Sequence, residues 1–147
     1  MHLKIAAPGG VWYEWEIVKI TIPTEGGEIT ILPWHQPLTS VVKAGIISFV
    51  PEWELGEWDF VVVEGRVQVA VSKGLLLVDG EQVVITTSAA TTSPEHSAEV
   101  LQQMQSDMTA ELEKITDEGN AEDIEKALEN MAKVEADLRL VKLKNIG

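Results

Sequence analysis

The sequence predicts an N-terminal antiparallel β-sandwich or flattened barrel followed by a C-terminal antiparallel two-helix hairpin. The first 87 residues contain many short apolar segments separated by turn residues, with no helical period between them. After the small, polar stretch TTSAATTS at 86–93, the apolar period changes from two to about three and a half. These observations divide the chain into a β domain at 1–87, a linker at 88–93 and a helical hairpin at 94–147.

The first part of the chain predicts strands at 3–7, 11–22 and 28–32, separated by turns at Pro8-Gly9-Gly10 and at Gly26-Gly27. Within 11–22 the apolar residues change side near Ile17 and Val18. Because side chains alternate between the two faces of a strand, this change predicts a bulge or a break there.

Further strands are predicted at 38–42, 45–50, 60–63, 66–71, 75–78 and 82–87. Glu64-Gly65 and Asp79-Gly80 each separate two of these apolar runs, and Asp-Gly is a strong hairpin signal. Trp53 and Trp58 lie in the acidic stretch PEWELGEWD, where we expect them to cap the end of a sheet.

Two amphipathic helices are predicted after the linker. Ser93 is a suitable N-cap for the first, with Pro94 in its first turn; Gly119 ends this helix and Asn120 can cap the second. The apolar stripes expected to pack together are Leu101, Met104, Met108, Leu112 and Ile115 with Ile124, Leu128, Met131, Val134, Leu138 and Val141. Because this seam can close on itself, we expect few obligatory contacts with the β domain.

A short loop between two strands is bounded by Pro33 and Pro37. Proline fixes φ and removes a backbone donor, so the loop should be stiff, present Trp34, His35 and Gln36 outward and pair no further with a sheet. One interpretation is a rigid connection between strands. The other is a docking surface, since rigid exposed aromatic side chains lose little entropy on binding.

Composition limits the classes of function. The chain has 147 residues, 45% of them apolar, a formal net charge of -13 and no cysteine. An acidic chain of this kind is not expected to bind nucleic acid, and the lack of cysteine excludes disulfides and cysteine metal sites. The apolar runs are far shorter than the roughly 20 residues of a membrane-spanning helix, and we expect no signal peptide.

No catalytic, cofactor or metal site is predicted. His2, His35 and His96 are too scattered along the chain to suggest a nucleophile and a base in contact. The Gly26-Gly27 pair lacks the Lys and Ser/Thr of a phosphate-binding loop. We therefore expect a protein that does not act as an enzyme on its own.

The segment at 27–38, GEITILPWHQPL, resembles the pattern GEFGILPGHAPL found near the start of the ε subunit of F-type ATP synthases. Thr30, Trp34 and Gln36 stand where the family usually has Gly, Gly and Ala. The stretch VSKGL at 71–75 is similar to its Ser-Gly-Gly-Phe segment, and ADLRLVKL at 136–143 to its terminal helix. The order of β domain, linker and hairpin agrees as well, so the chain is identified as a member of this family.

The resemblance implies a non-catalytic rotor subunit of the proton-translocating ATP synthase, which joins the γ subunit to the membrane ring of c subunits. It implies that Glu28, Trp34 and His35 are contacts at the junction with γ and the c-ring. The protein would then be peripheral to the membrane, on the cytoplasmic face of a bacterial inner or plasma membrane or its organellar equivalent.

The resemblance also implies that the hairpin is a regulatory arm able to obstruct ATP hydrolysis. Its cations would meet acidic segments of the catalytic β subunits; they are Lys133, Arg139, Lys142 and Lys144. The same cations would also complement the negative end of a helix dipole, which is a purely structural role.

Some members of the family bind ATP on the hairpin through an Ile-Asp-x-x-Arg-Ala segment. The comparable stretch here is SPEHSA at 93–98, which keeps only the Ala. Without the Arg there is no evident counter-charge for a phosphate, so we expect no nucleotide bound by that route. An alternative from another class stays open: a free-standing β-sandwich that binds a small ligand or peptide, with the hairpin as a lid.

Overall fold

The computed structural model describes residues 1–7, 10–53, 60–93 and 96–146. In these ranges the chain forms ten strands and two helices. The strands are β1 (His2–Ala7), β2 (Gly10–Thr24), β3 (Gly27–Ile31), β4 (His35–Val42), β5 (Gly45–Pro51), β6 (Val61–Val63), β7 (Arg66–Val71), β8 (Gly74–Gly80), β9 (Gln82–Thr87) and β10 (Ala90–Thr91). The helices are α1 (Ala98–Glu118) and α2 (Ala121–Ile146).

The strands form one sheet that folds over itself, in the order β1-β9-β8-β4-β2-β5-β7-β10. β3 pairs with β2, and β6 pairs with β7. Because β1 and β4, the two edges of the first layer, both pair with β2, the sheet closes into a flattened barrel. The predicted fold class, a barrel followed by a two-helix hairpin, is confirmed.

β2 carries the predicted bulge. Its pairing with β5 shifts between Ile17 and Lys19, and the intervening Val18 is exposed. Ile17 before the shift and Ile20 and Ile22 after it are fully buried. The bulge therefore lets this strand of 15 residues direct its apolar side chains into the core on both sides of the shift.

Aliphatic side chains from both layers fill the interior, and aromatic contacts extend it to one end. The ring of Trp15 lies 5.0 Å from that of Phe49 and 5.7 Å from that of Phe60. Trp53, which follows β5, lies 6.1 Å from Phe60. The cap at the end of the sheet thus includes Trp53, whereas Trp58 lies outside the described residues.

Both predicted hairpins form, although one turn lies a residue later than expected. Glu64 and Gly65 have φ values of 52° and 77° and join β6 to β7, as predicted. At the next hairpin Asp79 pairs with Gln82, so the loop starts at Gly80 rather than at Asp79. Gly80, with φ 59°, supplies the left-handed residue that this short loop requires.

α1 begins at Ala98, later than the predicted start. Its N-cap is Ser97 and not Ser93: the Ser97 hydroxyl oxygen accepts a 3.3 Å hydrogen bond from a backbone amide of the first turn. The start is late because the chain is still paired with β7 as β10, inside the predicted linker. Pro94 lies outside the described residues. None of the described helices is both long and apolar enough to cross a membrane.

α1 packs against α2 along the predicted seam, which is closed by Leu101, Val134, Leu138 and Val141 with Met104 and Met108. Asn120 caps α2 as predicted, with its side-chain oxygen 2.9 Å from the Asp123 amide. Leu128 was expected in this seam but is 50% exposed. It lines a cleft between α2 and turns of the β domain, so it lies on the other side of the helix.

That other side of α2 packs on the outer surface of the β domain. The buried residues of this contact are Ala136 and Leu140 with Val61 and Ala70, and Ile46 and Leu143 are packed against them. β7 is therefore covered on both faces, by the core and by α2. The expectation of few contacts between hairpin and β domain is wrong, because α2 carries a second apolar strip that fits the sheet.

Candidate functional site

Trp34 lies at the end of the connection between β3 and β4. Its φ is 68°, in the left-handed region that residues with a side chain rarely adopt. The amide of His35 donates to the Leu32 carbonyl oxygen at 3.2 Å and closes the turn around Trp34. The Trp34 side chain is 75% exposed, so packing offsets little of this conformation's cost, which is roughly 1–2 kcal/mol.

Leu32 and Pro33 are exposed beside Trp34. We call these three residues, Leu32, Pro33 and Trp34, the apolar tip. Scattered apolar residues are ordinary on a protein surface, but a contiguous exposed group is characteristic of a contact site. The interpretation of this connection as a docking surface is therefore retained for the apolar tip.

His35 is not part of the tip. It is the first residue of β4, and its Cα pairs with that of Gly80 in β8. Its ring Nδ1 lies 2.8 Å from the Gln36 carbonyl oxygen, and its side chain is half-buried. The prediction that the whole loop pairs no further with a sheet is wrong, because the ladder with β8 begins directly after Trp34.

Glu28 lies near the other end of β3, exposed and opposite Pro23 of β2. It lines a cleft of about 390 Å³ between the outer surface of the β domain and α2. Arg139 and Lys142 line the same cleft. The structure therefore places Glu28 beside two of the predicted arm cations and apart from Trp34.

Thr21 and Ser48, which also line this cleft, are both hydrogen-bonded to Arg66. Arg66 donates through Nη2 to the Thr21 hydroxyl at 2.8 Å and to the Ser48 carbonyl oxygen at 3.1 Å, and through Nε to the Ser48 hydroxyl at 3.2 Å. These bonds connect β7, β2 and β5 across their outer surface. Arg66 was not identified from the sequence. It could have been noticed as the one charged residue at the start of the otherwise nearly apolar strand RVQVAV.

Lys133 is held within the chain. Its Nζ lies 2.7 Å and 2.9 Å from the two carboxylate oxygens of Asp137 and 2.8 Å from the Thr91 hydroxyl oxygen of β10. The side chain is only 15% exposed. In this conformation its charge is directed at Asp137 and Thr91 and not at a partner.

Arg139, Lys142 and Lys144 are exposed on the C-terminal turns of α2. Within the described part of the chain none of the three forms an ion pair. They make this end of the helix locally basic although the whole chain has a formal net charge of -13. Arg139 and Lys142 share a cleft with Glu28, and all three cations are exposed enough to contact acidic groups of another molecule as well.

An outward-facing apolar row on β8 was missed by the sequence analysis. Leu75 and Leu77 are 54% and 50% exposed on the surface of the first layer. Leu75 pairs with Val41 of β4, and Leu77 pairs with Val84 of β9. The signal was present in the sequence, since GLLLV at 74–78 is an unbroken apolar run where a half-exposed strand would alternate.

The residues that the structure describes contain no candidate metal-binding site. There, no three His, Cys, Asp or Glu side chains are grouped so as to hold a metal ion. The candidate features are instead surfaces: the apolar tip, the β8 row and the basic end of α2.

Compared with known protein families, residues 1–93 match the family described as ATP synthase, Delta/Epsilon chain, beta-sandwich domain. The chain belongs to this family. The matched residues include Glu28, the apolar tip and the outward row of β8.

Two relatives are named ATP synthase epsilon chain. That of Nitratiruptor sp. is 32% identical over 81 residues, which are 54% of this chain and 61% of the relative's length. That of Campylobacter curvus is 29% identical over 113 residues, which are 75% of this chain and 86% of the relative. The second alignment is longer than the β domain and therefore extends into the hairpin.

A solved structure has a similar fold: the Euglena gracilis mitochondrial ATP synthase, described as OSCP/F1/c-ring in rotational state 1. The TM-score is 0.67 at 20% identity, and the likeness covers 91% of this chain and 76% of that chain. At 20% identity this similarity shows a shared fold only. Because the likeness covers 91% of this chain, it includes residues of both the β domain and the helical hairpin.

Proposed function

We propose that this chain is a non-catalytic rotor subunit of a proton-translocating ATP synthase, joining the γ subunit to the c-ring. The observation that carries the proposal is the family match over residues 1–93. The relatives named ATP synthase epsilon chain support it, as does the likeness in fold to a chain of an assembly that includes a c-ring. In this role the chain contributes protein contacts, and the catalytic β subunits carry the chemistry.

The apolar tip is the docking element at the junction with γ and the c-ring. Trp34 keeps a costly left-handed conformation while its ring stays exposed, and a partner that covers the ring would offset that cost. A rigid tryptophan at the centre of a contact is typical of residues that dominate binding. His35 supports the tip from β4, and Glu28 contributes at the opposite end of β3.

The hairpin is a regulatory arm in this proposal. Arg139, Lys142 and Lys144 present an exposed cationic end, which suits acidic segments of the catalytic β subunits. Lys133 joins them only if its bonds to Asp137 and Thr91 break. The subunit is peripheral to the membrane through the complex, on the cytoplasmic face of a bacterial inner or plasma membrane or its organellar equivalent.

Trp34→Gly tests the docking role, because glycine removes the ring and also accepts a positive φ without strain. We expect the thermal stability of the isolated chain to be equal or higher. Binding to a reconstituted γ and c-ring stalk should weaken by about 2 kcal/mol or more, roughly thirtyfold, as for a binding hot spot. The measurement is a titration of labelled chain onto the stalk, with thermal unfolding followed by circular dichroism.

Leu128→Ala is the matched control, since it removes an exposed apolar side chain far from the tip and should leave binding unchanged. If Trp34→Gly binds the stalk as well as the parent chain does, the tip is a strand connection and not a docking element. If the parent chain binds neither γ nor the c-ring, the alternative of a free-standing binding module takes precedence.

A further inference from the structure

α2 is tied to the β domain by a polar contact as well as by its apolar strip. This contact consists of Lys133, Asp137 and Thr91, which we call the clasp. Lys133 Nζ donates to the Thr91 hydroxyl oxygen at 2.8 Å and to the Asp137 carboxylate at 2.7 and 2.9 Å. The side chains of Lys133 and Asp137 are 15% and 19% exposed, and both line a cleft of about 680 Å³ together with Thr91.

Thr91 belongs to β10, the shortest strand. Two residue pairs hold β10 to β7, Ala90 with Val71 and Thr91 with Ala70. Ala70 is buried in the same cluster as Ala136 of α2. The strand, the helix and the clasp therefore meet at one place, just before the segment that leads to α1.

The bond to Thr91 distinguishes the clasp from an ordinary helix-surface ion pair. Lys133 and Asp137 are four residues apart on one helix, and such pairs are common and weak. Thr91 is 42 residues from Lys133 in sequence, so this bond forms only when α2 lies against the β domain. A hydrogen bond from a charged donor is also stronger than one between neutral groups.

We propose that Lys133 and Thr91 are positioning residues that hold the hairpin against the β domain, and that opening the clasp releases α2 and β10 together. Release would add Lys133 to the exposed cations at the end of α2 and lengthen the tether between the two parts of the chain. The regulatory meaning of this release rests on the proposed function. The clasp itself does not, because it is a contact within one chain.

Thr91→Val tests the clasp, since valine keeps the shape and the strand preference of threonine but lacks the hydroxyl. The chain has no cysteine, so spin labels on cysteines introduced at exposed Glu81 and Asn130 report the distance between the β domain and α2. The distances are measured by pulsed electron resonance at a urea concentration at which the parent chain populates both docked and undocked forms. We expect the undocked-to-docked ratio to rise about fivefold to tenfold, as for loss of one net hydrogen bond.

Lys133→Met should raise the ratio by a similar factor, and the double variant should raise it no further than the larger single effect. Thr91→Ser, which keeps the hydroxyl, should match the parent chain. Lys144→Met is the control for loss of a lysine charge and should also match it.

An unchanged ratio in Thr91→Val would overturn the proposal, and so would additive effects in the double variant, which would assign the two residues to separate contacts. If Thr91→Val lowers the melting temperature of the β domain and Thr91→Ser does so equally, Thr91 has a structural role and the proposal fails. Loss of stalk binding by a chain with an intact clasp would count against the proposed function only.

Discussion

The two faces of α2 are packed in different ways. The face toward α1 presents Val134, Leu138 and Val141 to a helix that precedes it directly in the chain, and methionines complete the seam. The face toward the β domain presents Ala136 and Leu140 to strands much earlier in the sequence. On this second face small residues on both sides, such as Ala70 of β7, let the helix approach the sheet closely.

The two faces also differ in continuity along the chain. Toward the β domain α2 is closed near Ala136 and Leu140, and a cleft of about 330 Å³ opens beside Leu128 and Ala132. The seam with α1 joins two consecutive helices, whereas the contact with the sheet joins α2 to strands that are remote in sequence. The difference teaches which contact to test first: we expect α2 to leave the β domain while it stays paired with α1.

The largest effect is expected from Leu140→Ala, which removes a fully buried side chain from the face toward the sheet. Large-to-small changes in a core cost about 2–5 kcal/mol, and the cavity here would lie in the buried cluster between α2 and the sheet. We expect the hairpin to detach while α1 and α2 stay paired. Urea unfolding measures the loss of stability, and labels at Glu81 and Asn130 of α2 measure the detachment.

Leu138→Ala is the matched change on the face toward α1. It should loosen the helix pair and leave the distance between labels at Glu81 and Asn130 of α2 nearly unchanged, because α2 stays on the sheet. The flexible methionines beside Leu138 should fill part of the cavity. If both variants detach the hairpin to the same degree, the two faces are one cooperative unit and the comparison fails.

A smaller effect is expected from Asn120→Ala at the turn between the helices. The Asn120 side chain accepts a hydrogen bond from the Asp123 amide at 2.9 Å, and loss of such a cap costs about 1 kcal/mol. Because the turn lies far from the sheet, α2 should fray at its start and stay docked. Amide hydrogen exchange should be faster near Asp123 and unchanged near Leu140; faster exchange at both would show that the cap also supports docking.

The smallest effect is expected from Leu128→Ala. This residue is half exposed and borders the open cleft, so its removal should change the free energy of unfolding by no more than about 0.5 kcal/mol. Thermal unfolding of the variant and the parent chain side by side checks this. A loss comparable to that of Leu140→Ala would mean that the cleft closes in solution and that the second face is longer than described.

Local patterns account for what the sequence predicted about the fold. The bulge at Ile17 and Lys19, the Glu64-Gly65 turn and the Asn120 cap each depend on a few neighbouring residues, so they could be read without the rest of the chain. The predicted start of α1 was wrong. Ser93 and Ser97 are equally good N-caps in isolation, and the pairing of β10 with β7 decided between them. The apolar strip of α2 was missed because its partners are remote in sequence.

Like the fold, the candidate site was predictable only where it depends on residues close together in sequence. Exposure of Trp34 followed from the two prolines around it, whereas the pairing of His35 with Gly80 required knowledge of which strand lies beside β4. The sequence could not place Glu28 beside Arg139 and Lys142, since only the docking of α2 creates their cleft. For the same reason it gave no sign that Lys133 is bound by Thr91.

β2 determines how the molecule would carry a mechanical load. It is hydrogen-bonded to β1, β3, β4 and β5, and its ladder with β3 has five residue pairs. A force applied at the apolar tip would act on β3 and would then be distributed over β2 and the other strands paired with β2. Many hydrogen bonds would therefore have to break at the same time. Under torque from a turning shaft the barrel would rotate as one rigid body, and the contact of α2 with the sheet, which depends on side chains, would be the first part to yield.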